Sequence, residues 1–270
     1  HADGGYVALL GANVSNEGTI NARLGTVALA AGNAMTLDVA GDGLLNVTVN
    51  QGAVNALVNN GGLILADGGQ VLLTAQAAGN LLQTAVNNTG IIQAQTIENH
   101  NGVIKLLGDM QDGTVNAGGT LDASAPDRGN GGFIETSAAH VKVADTLEVT
   151  TAAAQGLTGS WLIDPVDYTI AASGGDITGA ALSSNLTSTD ITILSTSGAA
   201  GVNGDVNVND TVSWSANKLT LNAQNNININ TEMNGSGTAR LALEYGQGAV
   251  AAGNAGTVNV KCPSQPAVRQ

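Results

Sequence analysis

The chain is short of the residues that normally knit a core or staple one. Of 270 residues one is cysteine, four are proline and 2% are aromatic. A lone thiol, Cys262, excludes a disulfide within the chain, so stability must come from packing. So few rings exclude a globular core built on Phe, Tyr and Trp. Eight Lys plus Arg stand against 21 acids, a net charge of −13. With neither a basic patch nor a basic helix, nucleic acid and an anionic membrane surface are excluded as partners. No apolar run is long enough for a membrane-spanning segment, and no signal peptide precedes the first repeat.

Enzymatic signatures are missing too. There is no GxSxG elbow, Walker loop or dinucleotide fingerprint, and His1, His100 and His140 share no metal-ligand spacing. Neither an EF-hand loop nor a GGxGxDxUx array is present, although Asp and Asn crowd the turns. No cofactor, metal or enzymatic activity is expected.

What the chain has is glycine, 37 of them, and 43% apolar residues that fall in register. Val14, Val58, Val86 and Val115 each stand four residues before Gly18, Gly62, Gly90 and Gly119. Two residues after those glycines come Ile20, Ile64, Ile92 and Leu121, then Ala22, Ala66, Ala94 and Ala123. A third run opens at Gly5, Gly25, Gly69, Gly102 and Gly132, followed by Val7, Val27, Val71, Ile104 and Ile134. Apolar residues alternating over short glycine-bounded runs mark strands with one buried face. Three columns at fixed offsets imply three strand faces per repeat. A unit this small cannot bury its own face and must stack on its neighbours. The expected fold is all-β, a single-stranded parallel β-helix (β-solenoid).

The third run recurs after 20, 44, 33 and 30 residues, and the 44-residue gap reads as two turns. The alternating strands Met35/Leu37/Val39 and Leu45/Val47/Val49, joined through Gly41-Asp42-Gly43, would fill the missing turn. About 10 to 13 turns would then make a rod of about 50 to 60 Å. The most polar insertion, Ser124 to Gly132, is the expected protrusion.

Three segments follow. Repeats fill 1–155. Over 156–248 the coil continues with an irregular insertion: GSWLIDPVDYTI (Gly159 to Ile170) reads as a kink or plug, a short helix fits between Gly174 and Leu194, and alternation resumes at Val206/Val208, Val212/Trp214, Leu219/Leu221 and Ile227/Ile229. Asn222, Asn225, Asn226, Asn228 and Asn230 suit corners and side-chain ladders. Residues 249–270 read as the end of the rod and a tail.

These residues together resemble the secreted exoproteins of two-partner secretion systems, the filamentous haemagglutinin-like adhesins of Gram-negative bacteria. Gly18 to Val49 resembles the end of that family's amino-terminal secretion domain. GSWLIDPVDYTI followed by Asp205 to Asn230 resembles the segment after it. The resemblance implies a right-handed coil, export unfolded through an outer-membrane β-barrel transporter, and a secreted or cell-surface product. It implies adhesion to extracellular polysaccharide or to a cell-surface glycan or receptor, by a monomeric rod. The family's NPNL and NPNG motifs are absent and the chain opens inside its own pattern, so it is expected to be a piece of something longer.

Because aromatic faces stack on sugars, Tyr245, Trp214 and Tyr168 are the candidate glycan contacts, although alternation with Val212 would bury Trp214. Parallel β-helices also include polysaccharide-degrading enzymes, which need clustered carboxylates beside a cation. Asp38, Asp122, Glu135 and Asp145 face outward, but Arg128 and Lys142 form no set with them. The stalk of a large exported toxin is a further alternative.

Overall fold

The computed structural model describes residues 1–38, 45–78, 84–195, 204–247 and 256–261. Its spine is a nine-stranded sheet of Tyr6–Gly11, Thr26–Ala31, Gln70–Ala75, Val103–Leu107, Phe133–Ser137, Ser160–Asp164, Asp190–Ser195, Lys218–Ala223 and Arg240–Glu244. Every neighbour in it is parallel. Between consecutive spine strands the first half of the chain supplies two lateral faces. One runs Asn13–Asn16, Leu57–Asn60, Thr84–Asn88, Gly113–Ala117 and His140–Val143; the other runs Thr19–Asn21, Leu63–Leu65, Ile91–Gln93, Thr120–Asp122 and Glu148–Thr150. The chain is a parallel β-helix.

The apolar columns stack as their offsets require. Val27, Val71, Ile104, Ile134, Trp161, Ile191 and Leu219 lie one above another and all are buried. Val58, Val86 and Val115 form a second file, and Ile64, Ile92 and Leu121 a third, each fully buried. Val7 and Ile20, in the first coil, are half-buried. The glycine columns have a steric cause. A Cβ on Gly62 would collide with the carbonyl oxygen of Gly18, and one on Gly69 with that of Gly25, because coils touch backbone to backbone there.

Polar groups also stack. Asn16 Nδ2 donates to Asn60 Oδ1 at 2.8 Å, Asn60 Nδ2 to Asn88 Oδ1 at 2.8 Å, and Asn88 Nδ2 to the Gly118 carbonyl at 2.7 Å. All three asparagines are buried. Farther along, Asn228 donates to Asn207 at 2.9 Å and accepts from Asn259 at 2.8 Å, while Asn230 donates to Asn209 at 2.7 Å. These ladders lie at the surface, and Asn222 and Asn228 sit in strands rather than corners. The asparagines in the left-handed region are Asn55 and Asn217.

The structure corrects the reading of the 44-residue gap. Val27 pairs directly with Val71, so no turn intervenes. Instead Ala34–Asp38 and Asn46–Gln51 pair antiparallel, Leu37 facing Val47, as a hairpin. It folds onto the outside of the spine: Leu45 is buried, its N–H donates to Thr26 Oγ1 at 3.0 Å, and its carbonyl accepts from Gln70 Nε2 at 2.7 Å. Thr26–Ala31 is consequently buried on both faces, which accounts for Ala28 and Ala30 at its outward positions. Alternation does not say whether a strand pairs with the next coil or with itself. The Gly41-Asp42-Gly43 joint lies outside the described residues. Among the described residues the nine spine strands span about 40 Å, against the expected 50 to 60 Å.

Beyond Thr150 both lateral faces change while the spine runs on. Trp161 does not kink the rod. It stands in the spine, fully buried, and donates from Nε1 to Thr136 Oγ1 at 3.1 Å. Asp164-Pro165 ends that strand, and Tyr168–Ile170 opens a new lateral sheet with Val206–Val208, Ile227–Ile229 and Val258–Val260. Val212–Trp214 pairs with Met233–Gly235 on another side. The helix Gly179–Asn185, N-capped by Thr178, closes the old lateral face. Asn185 Oδ1 accepts from the Val149 N–H at 2.7 Å and its Nδ2 donates to the Leu147 carbonyl at 3.2 Å. One apolar core continues from Val14 to Ile229. The strand Val258–Val260 extends the stack into the segment read as a tail; Cys262 lies outside the described residues.

Candidate functional site

The three aromatic candidates do not come together. Tyr168 points inward with Ile170, stacked beneath Val206, and is 0% exposed, so it offers no face to a sugar. Trp214 is 6% exposed and lines a shallow depression with Ser213, Asn234 and Gly235. Both were candidates by residue type, and the alternation that makes their strands removes them as stacking platforms. Tyr245, 46% exposed, follows the last spine strand alone.

The outward acids are scattered as well. Glu135 pairs with Lys105 at 2.9 Å, and Lys142 pairs with Asp176 at 2.7 Å. Asp145 accepts from Thr178 Oγ1 at 2.7 Å, beside the helix. Among the described residues no group of three or more His, Cys, Asp or Glu is placed to hold a metal.

A concavity lies elsewhere among the described residues, a groove of about 720 Å³ at the corner where each coil passes from its second lateral face back to the spine. Arg23, Asp67, Gln95 and Ser124 each follow the alanine column by one position and stack in register. Leu24 N–H donates to the Asp67 carbonyl at 2.8 Å, Gly68 N–H to the Gln95 carbonyl at 2.7 Å, and Thr96 N–H to the Ser124 carbonyl at 2.8 Å. The first two coils turn this corner tightly through left-handed Leu24 (φ 55°) and Gly68 (φ 69°). The next two insert 95–101 and 124–131, which rise as the groove's walls.

Internal bonds hold these walls. Asp67 accepts from Gln93 Nε2 at 3.0 Å and from the Gln95 N–H at 2.9 Å. Gln95 Nε2 donates to Asp122 at 2.7 Å, Thr96 Oγ1 donates to the Asn130 carbonyl at 2.8 Å, and Ile97 and His100 bridge each other. Glu98 turns through φ 56°, an uncommon conformation for a non-glycine residue. The rest of the lining is Asn99, Pro126, Asp127 and Arg128. Among the described residues, the side chains of Arg23, Glu98, Asp127 and Arg128 make no hydrogen bond or ion pair.

No protein-family model, curated protein or solved structure matches the chain. The site therefore rests on its own geometry. Sequence reasoning singled out Arg128 but missed Arg23, Asp67, Gln95 and Glu98. For Arg23, Asp67 and Gln95 the signal was positional, one residue past each alanine of a column already recognised, where stacking makes neighbours of residues tens of positions apart; Glu98, inside an insert, had no such signal.

Proposed function

We propose that this chain is a rod-forming, adhesive segment of a large secreted surface protein of a Gram-negative bacterium, of the filamentous haemagglutinin-like kind. The observation that carries the reading is the unbroken nine-stranded parallel spine over one continuous aliphatic core, an elongated body that grows by adding coils. The quoted stretches that resemble two-partner secretion exoproteins supply the route, through an outer-membrane β-barrel transporter. A fold that needs no disulfide among its described residues suits threading in an unfolded state. Its partners are then an extracellular polysaccharide or a cell-surface glycan, met along the rod's side. No described helix is long and apolar enough to cross a membrane.

The test is attachment. Beads coated with the chain should bind bacterial or host cells, or a polysaccharide matrix, and soluble chain should compete. Release of reducing ends from a polysaccharide during the same incubation would instead point to a degrading enzyme, and failure of the beads to attach to every surface would remove the adhesive reading.

A further inference from the structure

We infer that the corner groove is a binding site for a linear, uncharged glycan lying along the rod axis. The inference deepens the adhesive reading and rests on it for the ligand's origin, but its evidence is the groove itself. The floor takes one residue from each of three successive coils, Arg23, Asp67 and Gln95, so it runs parallel to the axis, with Pro126, Asp127 and Arg128 of the next coil beside it. From the first of these coils to the third the floor spans about 10 Å. That shape admits an extended chain.

Charge then narrows the class. The lining reads cation, carboxylate, amide, carboxylate, cation, and a chain of net charge −13 adds no positive field around it. A polyanion would be repelled by Asp67, Glu98 and Asp127, and a polycation by Arg23 and Arg128. Every polar group of this set is a planar carboxylate, amide or guanidinium, able to bond two adjacent hydroxyls at once. Ile97 and Pro126 add small apolar surface suited to the C–H face of a sugar ring.

The groups are also poised. Asp67 and Gln95 are fixed by the bonds described above, and the Gln95 amide oxygen accepts no hydrogen bond among the described residues. Arg23, Glu98, Asp127 and Arg128 have no competing partner among the described residues. A site whose floor is already ordered loses less freedom on binding than a flexible one.

The experiment is calorimetric titration of the intact chain with neutral hexasaccharides of glucose, mannose, galactose and N-acetylglucosamine, and with hexagalacturonate. It is repeated with Arg23→Ala/Arg128→Ala, both exposed and with no side-chain hydrogen bond or ion pair to lose among the described residues, and with Asp127→Asn. We expect one neutral hexasaccharide to bind and its affinity to fall about tenfold or more in the double variant, the loss of hydrogen bonds to charged groups. Affinity should change little over a roughly tenfold rise in ionic strength. Binding of hexagalacturonate alone, weakened by salt, would overturn the ligand class. A neutral glycan bound equally well by all variants would overturn the location and leave the adhesive reading standing. No binding of any hexasaccharide by a chain whose beads still attach to cells would overturn the inference alone, and loss of both would overturn the two together.

Discussion

Replacing Asn60 by alanine is the sharpest test of how the coils are held together. Its side chain is 0% exposed and sits between Asn16 and Asn88, with a 2.8 Å bond on either side. Removal strands the Asn88 Oδ1, itself 1% exposed, with no other donor. The Asn16 amide keeps only its longer contact of 3.4 Å to the Gly18 carbonyl. An orphaned buried group costs about 1 to 3 kcal/mol. Counting Asn88 in full and Asn16 in part, the substitution should destabilise the chain by about 2 to 4 kcal/mol. The contrast is Asn87, whose bond from Asn116 is also 2.8 Å but lies at the surface; Asn87→Ala should cost less than about 0.5 kcal/mol. The assay is urea unfolding followed by circular dichroism, with hydrogen exchange to locate the loosened coils. The discriminating result comes from a cycle with Asn60→Leu, Asn88→Leu and the double variant. When both partners become apolar neither is stranded, so the double should cost about 1 to 2 kcal/mol less than the two singles added. Additivity within about 0.4 kcal/mol would refute the coupled ladder and make the file a set of separate bonds.

Other consequences can be measured on the same footing. Gly69→Ala puts a methyl group into the carbonyl of Gly25 in the coil below, and should destabilise by more than about 3 kcal/mol, whereas Gly4→Ala, with open space around it, should show only the strain of φ 66°. Ile104→Asp buries a charge between Val71 and Ile134 and should open the neighbouring coils to protease; unchanged proteolysis would reverse the facing assigned to that column. Tyr168 is buried with an unpartnered hydroxyl, and burial, then the Asp176 carboxylate, push its phenol well above the usual range. A phenol that ionises only in the unfolded chain favours folding below about pH 10 and loses ground above it. Tyr168→Phe should therefore flatten the alkaline loss of stability and gain about 1 kcal/mol at neutral pH by removing the stranded group.

How much of this was legible follows from what repeats. The inward columns could be read because stacking asks the same residue type of each coil, and Val58, Ile64 and Val71 recur at offsets that no helix would produce. The hairpin could not be told from a coil by its alternation, since Leu37 and Val47 are spaced as any strand would space them. The buried ladder was visible in principle, with Asn16, Asn60 and Asn88 each two residues before a glycine of a recognised column. The denser asparagines after Asn222 are the more conspicuous in sequence, and theirs bond at the surface. The segment around Trp161 reads as a kink or plug because an indole is unlike the valine and isoleucine of its file. Size alone does not report that the lateral faces change nearby and leave room for an indole.

The groove was the least legible feature, and the cause is the same stacking that made the core plain. A coil can lengthen only where an extra residue does not shift the register of its strands. The corner between Ala22 and Gly25 is such a place, for there the glycine N–H bonds the alanine carbonyl at 3.0 Å. Gly69 repeats the bond to Ala66 at 2.9 Å across the same two-residue corner. Gly132 repeats it to Ala123 at 2.7 Å although eight residues now intervene. The closure is indifferent to what it encloses, so successive coils carry inserts of unlike length and composition above an invariant base. Those inserts have no column of their own to betray them. They become a surface only when the coils are stacked, which sets Arg23 near Arg128 across more than a hundred residues of sequence. In a coil of this kind the core is written in what recurs and the recognition face in what interrupts it.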